Sequence, residues 1–329
     1  MGRKSLMNKK LTKQLQEFTR LWGGFRASRV VLTANNYGIF DHLKTPKTAG
    51  DIARVISADA RATEILLDAV ASVGLLKKSG GKYRNSETAG TFLVKDSGLY
   101  QGDMLRHADD LWKGWSGLDE VVKTGLPNRS GGRDYGTFIR AMHNNAVIRA
   151  KKAIRAIDLK GVKRALDLGG GPGTYSMELA RKGIDVTLFD LPEAITIAKE
   201  LVSGQGIDNI NFAAGDFHAD DIGAGYDLVF ISQIVHSLSI AESLALMEKA
   251  RDALGPKGRL VIHEFLLGKD RAHPVPAALF SVNMLVNTEA GRSYTVQEMR
   301  GWLAKAGFKG IGVKELGDTV ILTGKKNSR

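Results

Sequence analysis

Apolar positions recur at helical spacing through the first half of the chain. From about Thr12 to Asn36 they fall at Leu15, Phe18, Leu21, Trp22, Phe25 and Val30, which predicts a helical stretch. Tyr37-Gly38-Ile39-Phe40-Asp41 breaks the pattern. Thr48-Ala49-Gly50-Asp51 then carries a capping signature, with Ile52, Ala53, Val55 and Ile56 as the inner face of a short helix. A second helix follows Ser57-Ala58-Asp59, with Ile65, Leu66, Ala69 and Val70 expected inward and Arg61, Thr63, Glu64 and Asp68 outward, and Gly74 ends it. Leu75–Arg84 reads as a hairpin around Ser79-Gly80-Gly81. Helix, turn, helix and hairpin form a winged-helix pattern. It serves either DNA binding or packing between subunits, and two carboxylates on the outward face oppose contact with phosphates. Helices are expected again from about Tyr100 to Ile157, around a loop at Gly125–Gly136. Trp112 and Trp115 lie there as pocket wall or as core.

After Gly161 the pattern changes. Short apolar runs alternate with helical segments: Arg164–Leu168, Val186–Asp190, Ile210–Ala213, Tyr226–Ile231 and Gly258–Ile262. This alternation predicts βαβ units and a mostly parallel sheet covered on both faces, an α/β architecture. Lys314–Leu322 reads as an antiparallel edge strand. The expected division is a helical winged-helix domain over 1–100, a helical linker over 101–158, and a Rossmann-like domain over 159–329.

Composition narrows the chemistry. The 329 residues hold no cysteine, which excludes disulfides, thiolate zinc sites and a cysteine nucleophile. A reducing cytoplasm suits such a chain, and no metal is expected. No window has the length and apolarity of a membrane span, so no membrane partner is expected. The formal charge is +12, but the lysines and arginines are dispersed rather than gathered in a block, so nucleic acid is not the expected partner.

The most informative segment is Leu166-Asp167-Leu168-Gly169-Gly170-Gly171-Pro172-Gly173, where a strand ends in a glycine turn and a helix begins near Thr174. Glycines allow a sharp turn and let a ligand lie against the backbone. The dinucleotide spacing G-x-G-x-x-G fails here, because Thr174 holds the third position. The spacing D-x-G-x-G-x-G is complete in Asp167, Gly169, Gly171 and Gly173, and suits S-adenosylmethionine (SAM), which has no pyrophosphate. Asp190, 23 residues after Asp167, ends the next strand with a carboxylate suited to ribose hydroxyls. Asp216 and Phe217 end the third, an acid for the adenine amino group and a ring to pack on the purine. Leu191 and Ser232 complete the expected SAM set, with S-adenosylhomocysteine as product.

With these residues the chain resembles the SAM-dependent small-molecule O-methyltransferases of the caffeic-acid and hydroxyindole type, over roughly Phe25 to Leu322. The matched motifs are Leu168–Gly173, Phe189-Asp190-Leu191-Pro192, Gly215-Asp216-Phe217 and Gly258–Glu264. The resemblance implies a class I methyltransferase sheet behind an N-terminal winged-helix domain that builds a homodimer. It implies a small aromatic acceptor, with Phe280, Asn283, Met284 and Asn287 on the helix that lines its site.

Methylation of a hydroxyl calls for a base near neutral pH, which histidine supplies. His236, just past the fourth strand, stands where the family has its catalytic histidine, and Glu264 matches the first acid that holds it. Ser237-Leu238 replaces the usual Asp-Trp after that histidine, and Ser293 occupies the second acid's place. A strand-end histidine bonded only to backbone is the other reading of His236. C-methylation by proximity alone, or a SAM-binding winged-helix regulator, are the alternative functions.

Overall fold

The helical period over Thr12–Asn36 resolves into two helices, α1 (Gly2–Gly23) and α2 (Phe25–Asn36), broken at Gly24. They belong to a computed structural model that describes residues 2–128 and 134–327, with side chains from residue 8 onward. The middle of the expected Gly125–Gly136 loop, residues 129–133, lies outside the described residues. The chain forms two compact units, Met1–Ala108 and Asp109–Arg329.

In the first unit, α3 (Ile39–His42) and β1 (Lys47–Thr48) precede α4 (Ala49–Val55). The capping signature forms as read: the Asp51 amide donates to Thr48 Oγ1 at 3.1 Å, and the Thr48 amide donates to Asp51 Oδ2 at 3.0 Å. This satisfies two amides that the helix start leaves unpaired. Next come α5 (Ala60–Ser72), the hairpin β2 (Leu76–Ser79) and β3 (Lys82–Asn85), and α6 (Glu87–Phe92). Gly80 and Gly81, with φ of +54° and +71°, make the tight hairpin turn that matches strand twist. The small sheet runs β1-β3-β2.

Two inward assignments are corrected. Val55 and Ile65 face outward, 50% and 56% exposed, while Thr63, read as outward, is 2% exposed. The buried stripe of α5 is Thr63, Leu67 and Val70, which keeps Val70 but is rotated from the expected one by about a quarter of a turn. Asp68 is not free to oppose an anion. It accepts from Lys78 and from the Tyr83 hydroxyl, tying α5 to the hairpin.

α7 (Gly102–Trp115) leads from the first unit to the second, where α8 (Leu118–Thr124) and α9 (Tyr135–Ala156) follow. Then strands and helices alternate: β4 (Arg164–Leu168), α10 (Thr174–Ala180), β5 (Asp185–Asp190), α11 (Pro192–Val202), β6 (Ile210–Ala214), β7 (Tyr226–Ser232), α12 (Ile240–Ala253) and β8 (Leu254–Phe265). After α13 (Val275–Asn287) and α14 (Val296–Lys305), β9 (Lys309–Glu315) and β10 (Thr319–Lys325) close the sheet. The order is β6-β5-β4-β7-β8-β10-β9. Strands β4 to β8 pair in parallel, and β10 runs antiparallel to both its neighbours. The antiparallel strand therefore lies one position in from the edge, which β9 occupies. The single expected strand at Lys314–Leu322 is the bend of a hairpin.

Alternation along each strand divides the core in two. Leu166, Leu168, Val229, Ile231, Leu260 and Ile262 pack on the face shared with residues of α12 and α14. Ala165, Leu228, Phe230 and Val261 pack on the other, with residues of α9, α10 and α11. At the carboxyl ends of β4, β5 and β7 lie the glycine turn, Asp190 and the loop that carries His236.

Candidate active site

The glycine turn after β4 is held by the neighbouring strand. The Gly169 and Gly170 amides donate to the Phe189 carbonyl, at 2.8 and 3.3 Å. Gly169, Gly171 and Gly173 all have positive φ, at +70°, +51° and +75°, a backbone that L side chains rarely adopt. A Cβ on Gly169 would press on Ile234 at 2.6 Å, whereas the space beside Gly171 is open.

Asp190 meets this turn from β5. Its Oδ2 accepts from the Gly171 amide and its Oδ1 from the Leu191 amide, both at 2.7 Å. Burial pushes the Asp190 carboxyl up, and these two amides pull it back. Asp167 is 1% exposed. Its Oδ2 accepts from Ser176 at 2.6 Å, while its Oδ1 is buried without a partner. Burial pushes this carboxyl up to about 7, against the pull of Ser176. Past β6, Asp216 is exposed and accepts from the His218 amide at 2.8 Å, and Phe217 is half-buried against the core.

The loop after β7 carries His236 on a single 3₁₀ turn, Val235–Ser237, set up by Gln233 at φ +59°. His236 Nδ1 lies 2.8 Å from Glu264 Oε2, with 12% and 5% of the two side chains exposed. The His236 amide also approaches Glu264 Oε1 at 3.3 Å. A carboxylate only accepts, so in the neutral imidazole Nδ1 carries the proton and Nε2 the lone pair. Phe280 of α13 sets its ring edge-on to His236 at 4.8 Å, and Phe265 stands 4.5 Å from Phe280.

Ser293 does not join this pair. Its hydroxyl donates to the Ala277 carbonyl at 2.8 Å, and its amide donates to Ser281 Oγ at 2.9 Å, so it fastens the loop to α13. Ser237 donates to the Ile234 carbonyl. Asn283 accepts from Trp115 Nε1 and from Asn287 Nδ2, each at 2.9 Å. Met284 is 7% exposed, behind them.

Ser232 lies on the other face, 2.9 Å from His263 Nδ1. His263 packs edge-on to Tyr175 and parallel to Phe230. Burial lowers it to about 4, so it is neutral. Sequence reasoning passed over Ser176, Tyr175 and this role of His263. Nothing in the motif distinguishes Ser176 from any hydroxyl in a first helical turn.

A model described as an O-methyltransferase domain matches residues 128–309, and one described as an O-methyltransferase dimerisation domain matches residues 19–95. The chain belongs to the SAM-dependent O-methyltransferase family. It is 32% identical to 3-hydroxy-5-methyl-1-naphthoate 3-O-methyltransferase of Streptomyces sahachiroi, with 88% of each chain covered. It is 31% identical to human acetylserotonin O-methyltransferase, over 89% of this chain and 92% of that one. The crystal structure of the human N-acetylserotonin methyltransferase in complex with SAM superposes with a TM-score of 0.88 at 27% identity, over 96% and 98% of the two chains. The strand ends of this O-methyltransferase fit such a donor. Gly171 leaves open space against the backbone, Asp190 is preset by two amides, and the orphaned Asp167 Oδ1 is an acceptor without a donor. Among the described residues, no helix is long and apolar enough to cross a membrane.

Proposed function

We propose that this enzyme methylates an aromatic hydroxyl, with His236 as general base and Glu264 as the acid that orients it. The observation that carries this reading is the 2.8 Å contact between His236 Nδ1 and Glu264 Oε2. It directs the basic Nε2 away from the carboxylate, and Glu264 stabilises the imidazolium once the hydroxyl proton has moved to Nε2. Bound SAM supplies an electrophilic methyl group on a positively charged sulfur. Asp167, Gly169, Gly171, Gly173, Asp190, Leu191, Asp216, Phe217 and Ser232 are assigned to holding it. Phe280, Asn283, Met284 and Asn287 are assigned to the acceptor, with Phe280 beside the base. A flat ring suits an edge made of Phe280 and Phe265.

The relatives named for a hydroxynaphthoate and for acetylserotonin make fused-ring phenols and hydroxyindoles the acceptors to try first. The matched dimerisation domain supports a homodimer, as do Leu15, Phe18 and Leu21 of α1, which are 64%, 62% and 81% exposed in the single chain.

The test is transfer from methyl-labelled SAM to a panel of naphthols, hydroxynaphthoates, hydroxyindoles and catechols, with wild type beside His236→Ala. The expected loss in kcat is about 10²- to 10⁴-fold. Transfer that survives the substitution removes the base and points to methylation by proximity, and label on no acceptor, with SAM still bound, points to a regulator.

A further inference from the structure

Trp115, at the end of α7, and Asn283, on α13, are 168 residues apart in sequence and 2.9 Å apart in space. The indole Nε1–H only donates. The Asn283 atom facing it is therefore the carbonyl oxygen, and the orientation of the carboxamide follows from chemistry. Asn287 reinforces it by donating Nδ2 to the same oxygen at 2.9 Å and to the Asn283 main-chain carbonyl at 2.7 Å. The two segments pack in ordinary contact. A Cβ on Gly114 would lie 3.4 Å from Val286 Cγ1 and 3.7 Å from Asn287 Oδ1. Asn128 bridges the two segments, donating Nδ2 to the Gly114 carbonyl and its amide to the Val286 carbonyl, each at 2.9 Å.

With its oxygen doubly engaged, Asn283 has its NH₂ group left to offer, and that group makes no hydrogen bond among the described residues. Asn283 lies about one helical turn, roughly 4.5 Å along the axis, beyond Phe280 on the same face of α13. Phe280 touches the ring of His236. The acceptor region thus has a base beside Phe280 and a fixed hydrogen-bond donor one turn further on.

We propose that Trp115 is a specificity-determining positioning residue. By holding the Asn283 oxygen it commits the carboxamide to donate, and so selects aromatic hydroxyl acceptors that carry a second oxygen acceptor, a carbonyl or carboxylate, away from the hydroxyl that is methylated. This rests on the aromatic-hydroxyl reading above. A site built to donate a hydrogen bond discriminates against the analogue that lacks its partner, because the donor is then left unpaired.

The experiment compares 6-hydroxy-2-naphthoate with 2-naphthol in wild type, Trp115→Phe and Asn283→Asp. It measures kcat and KM for each, and equilibrium binding of each in the presence of S-adenosylhomocysteine. Wild type is expected to favour the hydroxynaphthoate by about tenfold or more in kcat/KM, mainly through KM. Asn283→Asp cannot donate and is expected to abolish or invert that preference. Trp115→Phe keeps the ring and loses the N–H, and is expected to reduce the preference by about threefold to tenfold, Asn287 retaining part of the orientation. A merely structural Trp115 would lower both substrates in parallel and leave their ratio unchanged, and that result overturns the proposal. So does a wild type that methylates both without preference, which leaves the aromatic-hydroxyl reading standing. If neither compound binds or takes label, while another class of acceptor does, the aromatic-hydroxyl reading fails and this proposal with it.

Discussion

His263 and Glu264 are neighbours on β8, yet they end in opposite surroundings. Glu264 points with Leu260 and Ile262 to one face of the sheet, where it holds His236. His263 points with Val261 to the other, against Ser232, Tyr175 and Phe230. Each face has a histidine near the end of β7 and β8. On the first, the imidazole has a carboxylate on Nδ1. On the second, it has a hydroxyl and two rings, and burial holds it neutral. The residue type is the same, and the partner decides whether it can carry a charge. Asp167 belongs to the second face as well. It alternates with Leu166 and Leu168, and its carboxyl is pushed up to about 7 by the same lack of solvent. One face thus sets a carboxylate against its imidazole, as the proposed proton transfer requires, and the other buries its imidazole against a hydroxyl and two rings.

The first way to break this comparison is to remove the charge from the first face. Glu264→Gln keeps the size and removes the anion, and its amide can donate to Nδ1 and so favour the wrong tautomer. The expected result is a fall in kcat of about 10²-fold, with a much smaller change in KM. Equal losses for this variant and for His263→Phe, measured with the same acceptor, would show that the two faces are not functionally distinct.

The contrast also marks what was legible in the sequence. The glycine turn, Asp190, and the pairing of His236 with Glu264 were legible because each sits at the end of an apolar run, and the order of strands brings those ends together. Strand alternation also sends neighbours such as His263 and Glu264 to opposite faces. What His263 meets was not legible, because Ser232 and Tyr175 belong to distant segments and no local pattern couples them. Trp115 and Asn283 are a stronger case of the same kind. In α5, Ile65 and Leu66 promised a buried stripe, but Thr63, Leu67 and Val70 form it, since two adjacent helical faces were both apolar enough to serve. The β9–β10 hairpin was missed because residues 314–322 contain its bend, and Gly317 at φ +90° makes that turn.

A second test uses pH and variants of the second face. His263 is lowered to about 4 from an ordinary 6.5. Between those values the unfolded chain binds a proton that the native state does not, so stability is lost as pH falls, by roughly 3 kcal/mol in all. Asp167 is raised to about 7 from 3.8. In that window the native state keeps a proton that the unfolded chain releases, so stability is lost as pH rises, by at most roughly 4 kcal/mol. The two slopes oppose each other between about pH 4 and 6.5. Thermal unfolding across this range, without SAM, is expected to show that His263→Phe steepens the loss on raising pH and that Asp167→Asn steepens the loss on lowering it. Parallel curves for the two variants would mean that this face does not exclude charge.

The smallest effect is expected at Ser293, where the resemblance implied an acid and the chain has a hydroxyl. Ser293 is 2% exposed and its hydroxyl donates to the Ala277 carbonyl, while among the described residues the 4% exposed Glu264 is the acid that meets His236 Nδ1. The bond fastens the loop to the helix that carries Phe280, so its loss acts on position rather than on the proton. Ser293→Ala is expected to cost about 1 kcal/mol in chemical denaturation and to change kcat by less than about threefold. Ser293→Asp sharpens the point. A carboxylate directed at the Ala277 carbonyl has no donor there and would be buried without a counter-charge, so the expected result is a destabilisation of about 2 kcal/mol or more with no gain in rate. A rate gain from Ser293→Asp would show that the loop can turn its side chain toward His236, and that one acid is not enough for the first face.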